Sequence, residues 1–209
     1  MTNKSKDTDL WTPRSTKDTQ KIYADWAATY EDDVTALSYA TPDRVAQALI
    51  AQAPDLTVPV LDFGCGTGLS GVALRKAGFE QVDGTDISPQ MLEQAAAKTF
   101  GDAPLYRRTW LGQVGQIDVT PGDYTIIVAT GVVSLGAAPP EMLDTLLMAL
   151  APAGLLAFSY NDPTLKNESY VNALEDILQS QKAEVLFREH GPHLSAQVTG
   201  SDVIVLRRR

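Results

Sequence analysis

The run Val60-Leu61-Asp62-Phe63-Gly64-Cys65-Gly66-Thr67-Gly68 constrains this chain more than any other stretch. An apolar strand pattern carries an acid near its end and breaks into three glycines spaced two apart. A helix pattern follows at once in Leu69-Ser70-Gly71-Val72-Ala73-Leu74. Glycine has no Cβ, so its backbone turns tightly and lets a ligand come close. The helix start beyond it presents N–H groups that lack partners within the helix. Strand, glycine loop and helix together read as a site for a nucleotide-type ligand. The dinucleotide fingerprint G-x-G-x-x-G needs glycine at position 69, where this chain has Leu69. Its spacing is D-x-G-x-G-x-G instead.

The pattern around that loop predicts an α/β fold. From Val58 onward strand and helix signals alternate, with strands expected at 58–63, 81–86, 104–110, 123–129 and 154–160. Helices are expected near 69–77, 88–99 and 140–150, the last carrying Leu143, Leu146, Leu147 and Leu150 on one face. Ser88-Pro89 is a helix start with Ser88 as cap. Ile126-Ile127-Val128-Ala129 is apolar throughout, as a strand buried on both faces requires. Such alternation gives parallel strands joined by helical crossovers. A helix near 167–181 then precedes two strand-like runs, 183–188 and 202–207, with no helix between them. Strands joined without a helix pair antiparallel.

Ahead of the loop, residues 1–15 read as a disordered tail with Trp11 as its lone large apolar group. A helix beginning near Thr16 places Tyr23, Trp26, Ala27 and Tyr30 on one face. Thr41-Pro42 opens a second helix that ends before Pro54. One domain is therefore expected over 16–209, with helices at 16–54 and the sheet at 58–209.

At 209 residues the chain is long enough to bury a real core. A net charge of −9 argues against a polyanion such as nucleic acid as main partner, and Arg207-Arg208-Arg209 reads as a solvated tail. The single cysteine, Cys65, excludes an internal disulfide and any multi-cysteine metal site, and reads as small-residue packing in the turn. No acidic or histidine cluster suggests an essential metal. Met1 to Lys21 is polar, and no run approaches the roughly 18 apolar residues of a membrane span. A cytoplasmic protein is expected.

Asp86 ends the second strand 22 residues beyond Gly64, where a carboxylate can accept hydrogen bonds from both hydroxyls of a ribose. NAD enzymes use the same device, so Asp86 alone does not choose between cofactors. The D-x-G-x-G-x-G spacing does, since it resembles the first motif of class I S-adenosylmethionine (SAM) methyltransferases. Tyr23-Ala24-Asp25-Trp26-Ala27-Ala28-Thr29-Tyr30-Glu31-Asp32 is similar to the Y-D-x-W-A-x-x-Y-D element of the methyltransferase-like 27 (Williams–Beuren region) group. That match also takes in Leu61 to Ala95 and Tyr106-Arg107-Arg108.

The resemblance implies a Rossmann-like, doubly wound sheet of seven strands in the order 3-2-1-4-5-7-6, with strand 7 antiparallel. It implies SAM as cofactor and a small-molecule acceptor. It implies that Asp62 places the amino-acid part of SAM and that Gly64, Cys65 and Gly66 lie along it. Asp86, Ile87 and Met91 would hold the nucleoside, with Gln113 and Val114 at the adenine. Family members commonly carry an acid where Gln113 stands, and its side-chain carbonyl still accepts from the adenine amino group. Thr130 would pass near the sulfonium, and Tyr23 and Tyr30 would belong to a helix that lids the cofactor. Trp110 is open between packing on adenine and facing the core.

Methyl transfer needs alignment and exclusion of water more than an acid–base pair, so no catalytic residue is named. His190 and His193 read as surface histidines in the turn before the last strand. Ser159-Tyr160-Asn161-Asp162 follows the fifth strand on the ligand side of the sheet. Asn161-Asp162-Pro163 lacks the adjacent prolines and aromatic of an N-P-P-Y motif, which argues against DNA methylation. Two other readings stay open: a SAM- or S-adenosylhomocysteine (SAH)-binding protein without turnover, and an NAD-dependent oxidoreductase.

Overall fold

The computed structural model describes Thr12 and residues 15–53, 55–196 and 198–209. The expected disordered tail lies outside these residues, apart from Thr12 and Ser15. Three helices, α1 (Thr16–Trp26), α2 (Tyr30–Ala36) and α3 (Thr41–Ile50), precede β1 (Val60–Phe63). There follow α4 (Leu69–Lys76), β2 (Val82–Asp86), α5 (Pro89–Ala97), β3 (Thr99–Phe100), β4 (Ala103–Pro104) and β5 (Arg108–Leu111). The second half holds β6 (Tyr124–Ala129), α6 (Met142–Ala149), β7 (Leu150–Asn161), α7 (Asp162–Leu165), α8 (Glu168–Gln179), β8 (Ala183–Pro192) and β9 (Gly200–Arg208).

Seven strands form one sheet in the order β5-β2-β1-β6-β7-β9-β8, and β9 runs antiparallel to both its neighbours. This is the 3-2-1-4-5-7-6 order of a Rossmann-like methyltransferase sheet. Alternate residues of the inner strands feed two cores. Ile126 and Val128 pack with α3 and α4 through Val45, Leu49 and Leu74. Ile127 and Ala129 pack with α6 and α8 through Leu143, Leu146 and Leu174. Burial on both faces is why β6 is apolar along most of its length.

Two local differences from the sequence pattern matter for the site. The stripe Tyr23, Trp26, Tyr30 does not lie on one helix, because the chain turns at 27–29 and restarts as α2. The rings stay together across that turn: Tyr23 and Trp26 stack at 6.2 Å, and Trp26 meets Tyr30 edge-on at 4.8 Å. The penultimate strand also runs past 188 to Pro192, because pairing to β9 continues through His190 opposite Asp202. Arg188 and His190 both bind the Asp202 carboxylate, at 2.7 and 2.9 Å. Among the described residues no helix is long and apolar enough to cross a membrane.

Candidate functional site

The carboxyl-end loops of the central strands open onto a cavity of about 270 Å³, closed on its other side by Tyr23, Trp26, Tyr30 and Val34 of α1 and α2. Those helices are fastened over it by four polar contacts. Thr19 Oγ1 donates to the Gly136 carbonyl at 3.0 Å, and Gln20 Nε2 to the Ile87 carbonyl at 3.2 Å. Gln94 Nε2 donates to the Ala27 carbonyl at 2.7 Å, and Lys98 pairs with Glu31 at 2.5 Å.

At the β2 end Asp86 accepts the N–H of Gly66 at 2.8 Å on one oxygen and the N–H of Ser88 at 2.8 Å on the other. One carboxylate thus pins the glycine loop and the start of α5. Burial raises its pKa, and the bonds from Ser88 and Gly66 oppose that rise. Each oxygen keeps acceptor capacity for a ligand, since a carboxylate has about four lone-pair sites. The two nearer glycines of the loop differ. At Gly64 (φ +68°) a Cβ would run into the Val132 side chain, so the loop closes against the end of β6. At Gly66 (φ +54°) a Cβ would meet nothing within 4 Å, so this residue faces open space.

Beneath the loop Asp62 is fully buried. Its Oδ2 accepts from Ser70 Oγ at 2.6 Å and Tyr106 Oη at 2.7 Å, while Oδ1 has no partner. Burial pushes the carboxyl up to about 6, against the lowering effect of those two hydroxyls.

Of the residues expected at the cofactor, Tyr23, Tyr30, Gly64, Gly66, Asp86, Ile87, Met91, Gln113, Val114 and Thr130 line this one cavity. Cys65 lines only a smaller cleft that adjoins it through Tyr30, Tyr39, Gly64, Gly66 and Thr130. The thiol itself is packed in the core, and burial holds its pKa well above the usual thiol range. Asp62 lines neither space and sits one layer below. Trp110 packs against the core rather than in the cavity.

Asn161 lines the cavity from the ligand side of the sheet as expected, and among the lining residues that were not expected there are Tyr39, Asp118 and His193. The surface assignment of His193 is corrected by its 6% exposure. Its N–H donates to the Thr199 carbonyl at 2.9 Å, and its carbonyl accepts from Ala40 N–H at 2.9 Å, which turns the side chain inward beneath α3. Nδ1 lies 2.7 Å from Thr41 Oγ1, and burial lowers the imidazole pKa to about 4. His190 does remain at the surface, with 57% of its side chain exposed. The sequence holds one signal for the inward turn: Gly191-Pro192 between the two histidines breaks the strand just before His193.

A family model described as a methyltransferase domain matches residues 61–156. The crystal structure of magnesium protoporphyrin IX methyltransferase from Synechocystis PCC 6803, with bound SAM, superposes with a TM-score of 0.68 at 19% identity, covering 91% of this chain and 97% of that one. Human Methyltransferase-like protein 27 is 35% identical over 162 residues, 75% of this chain and 63% of that protein. The chain thus carries a methyltransferase domain over residues 61–156 and has the fold of the class I SAM-dependent methyltransferases. The 18S rRNA (guanine-N(7))-methyltransferase of Bos taurus is 40% identical over 90 residues, 42% of this chain and 30% of that protein. The chain thus spans less than two thirds of the length of these two relatives.

SAM is the cofactor of the family, and the residues present fit it. Its sulfonium and ammonium are cations, and among the described residues the only charged side chains lining the cavity are Asp86 and Asp118. Thr130 Oγ1, buried at the end of β6, has no partner, and neither has Asp62 Oδ1. The aromatic faces of Tyr23, Trp26 and Tyr30 suit a sulfonium, each such contact contributing about 0.5–2 kcal/mol.

Proposed function

We propose that this methyltransferase transfers the methyl group of SAM to a small-molecule acceptor, with residues 16–209 acting as one domain. The cavity carries the proposal. At about 270 Å³ it lies just below the usual range of ligand pockets, about 300 to 1,000 Å³. Among the described residues no lysine or arginine lines it, and the chain carries a net charge of −9. That charge balance favours a small acceptor over a polyanion, and the rRNA in the name of the bovine relative is not proposed as the acceptor here.

In this reading Asp86 accepts from the two ribose hydroxyls while still holding the glycine loop. Ile87, Met91 and Val114 enclose the adenine, and the Gln113 carbonyl accepts from its amino group. The ammonium of the methionyl part approaches the free oxygen of Asp62 past Gly64, the Cys65 backbone and Gly66. Thr130, Tyr23 and Tyr30 surround the sulfonium. SAM supplies an activated methyl carbon. The chain's own residues align the acceptor with it and keep water out. A cytoplasmic location, where SAM is made available to small metabolites, accords with this role.

Calorimetry with SAM, SAH and NAD tests the cofactor assignment: SAM and SAH bind and NAD does not. Tight NAD binding with no response to SAM would falsify it. A tritiated-methyl screen over metabolite pools tests turnover. Label in small metabolites is the expected outcome, and SAH affinity without any turnover would make the protein a SAM-binding module instead.

A further inference from the structure

The wall of the cavity farthest from Asp86 is built from hydrogen-bond donors that the cofactor assignment leaves unused. Asp86 ends β2 and Asn161 ends β7, three strand spacings away across β1 and β6, about 14 Å. His193 lines the same cavity, and its ring meets edge to face at 5.2 Å that of Tyr39, whose hydroxyl lies beside Gly131 at the end of β6 and which also borders the glycine-loop cleft.

The direction of the hydrogen bonds there follows from one group. The Arg44 guanidinium has donors and no acceptor. Its Nη1 donates to Ser201 Oγ at 3.1 Å and to the Ser201 carbonyl at 3.0 Å. Ser201 Oγ has one other neighbour within hydrogen-bond distance among the described residues, Thr41 Oγ1 at 3.1 Å, so its proton goes there. Thr41 Oγ1 in turn faces His193 Nδ1 at 2.7 Å and passes its own proton on. Nδ1 is therefore an acceptor, and a neutral imidazole then carries its proton on Nε2. Asn161 is oriented in the same manner. Its Oδ1 accepts the Thr164 N–H at 3.1 Å and Thr164 Oγ1 at 2.7 Å, which leaves its NH₂ as the group offered to the cavity.

We propose that this wall is the methyl acceptor's subsite, and that it selects a small acid, a carboxylic acid or phenol, bound as its oxyanion by His193 Nε2–H, Asn161 Nδ2–H and the Tyr39 hydroxyl. The inference rests on the methyltransferase function proposed above. Neutral, preorganised donors of this type suit an oxyanion. They disfavour an amine, whose single lone pair would be tied up by a donor and whose own N–H groups would face donors. With Nε2 protonated, His193 is not a base at this wall, and an acceptor that arrives ionised needs none. The oxyanion forms an O–C bond to the methyl carbon while the C–S bond breaks and its electron pair returns to sulfur. The product is an ester or ether; a carboxylic acid arrives ionised and no proton moves, whereas a phenol first releases its proton to solvent. Because no lysine or arginine among the described residues lines the cavity, the countercharge for the oxyanion is the cofactor's own sulfonium. Arg44, Ser201 and Thr41 act through His193 and are positioning residues.

The test combines two measurements on the full chain. Long-range ¹H–¹⁵N spectra read the tautomers of both histidines, the only two in the chain. His193 is expected neutral and protonated on Nε2, and Thr41→Val is expected to mix its tautomers without moving His190. Calorimetry then follows benzoate and phenol against benzylamine, on protein loaded with sinefungin, which carries an ammonium where SAM has its sulfonium, and on protein loaded with SAH. Benzoate or phenol is expected to bind the sinefungin form at least tenfold tighter than the SAH form, and benzylamine to bind neither. Whichever of the two binds better names the acid class. His193→Phe and Asn161→Asp are each expected to cut that affinity at least tenfold while SAH affinity stays within twofold. An Nδ1–H tautomer, a preference for benzylamine, or no binding by any probe overturns the acceptor assignment while SAH still binds. Loss of SAH binding itself would instead overturn the methyltransferase function.

Discussion

Asp62 and Asp83 are both fully buried carboxylates on neighbouring strands, yet their surroundings are opposite. Asp62 pairs in register with Gly84 and Asp83 with Leu61, so the two side chains leave the sheet on opposite faces. Burial alone would raise Asp83, but bonds from Arg107 at 2.6 Å and Tyr124 at 2.5 Å outweigh it and hold the carboxyl below its ordinary range. Arg108 adds a third contact at 3.1 Å. Asp62 has two hydroxyl donors, no cation, and a pKa raised to about 6. Asp83 is complete within the chain. Asp62 is not, and its incompleteness points to a cationic ligand group above it. Buried acids teach little by being buried, and the missing countercharge is the informative part.

Substitutions separate the two roles, with the largest effect first. Asp83→Ala is expected to lower stability by about 2–3 kcal/mol in denaturant melts. That is below the 3–5 kcal/mol of a fully buried pair, because Arg107 and Arg108 are 43% and 58% exposed and water can solvate them. SAH affinity should persist below the lowered melting point. A larger loss of affinity than of stability would erase the distinction between the two acids.

Asp86→Ala is expected to weaken SAH binding by about 1.5–3 kcal/mol in calorimetry, the scale of lost hydrogen bonds to a charged group. Unchanged affinity would remove Asp86 from the ribose.

Asp62→Asn is expected to weaken SAH by about tenfold, or about 1.4 kcal/mol, yet to stabilise the ligand-free chain by about 1 kcal/mol at pH 8. The sign follows from the raised pKa. The folded carboxyl holds its proton up to about pH 6, whereas an unfolded one releases it near 4. Native stability contributed by this group therefore falls as pH rises from about 4 through 6, and Asn escapes that loss. The two proteins should converge in thermal stability at pH 4. SAH affinity of the native chain should decline below pH 6, and that of Asp62→Asn should stay flat. A parallel decline in both would place the titrating group elsewhere.

The smallest effect belongs to Ser70→Ala. Removing one of the two hydroxyl donors to Asp62, and leaving the Gly71 N–H, should shift the midpoint of that affinity profile upward by a few tenths of a pH unit and cost about 1 kcal/mol or less of stability.

The sheet order and the nucleotide end of the cavity were legible in the sequence because both rest on local signals. A glycine loop, an acid at a strand end and a capped helix are each readable within ten residues. Asp62 could be named as an acid ahead of the glycines, but its unpaired oxygen depends on Tyr106, distant in the chain. The acceptor end was not legible for the same reason. Arg44, Thr41, Asn161, His193 and Ser201 come from three widely separated segments and meet only when β9 inserts between β7 and β8. A histidine's burial cannot be read from its neighbours when the element that covers it lies some 150 residues earlier in the chain, as α3 does here.

Helix α1 spans the mouth of the cavity, with Gln20 bonded to the Ile87 carbonyl on one shore and Thr19 to the Gly136 carbonyl on the other. Neighbouring residues of a single helical turn therefore tether both banks. Release of these two bonds would widen the mouth, so the swing of one short helix is expected to tune how long a molecule stays inside. The pace of the turnover proposed above would then be set at this doorway as well as at the reacting carbon.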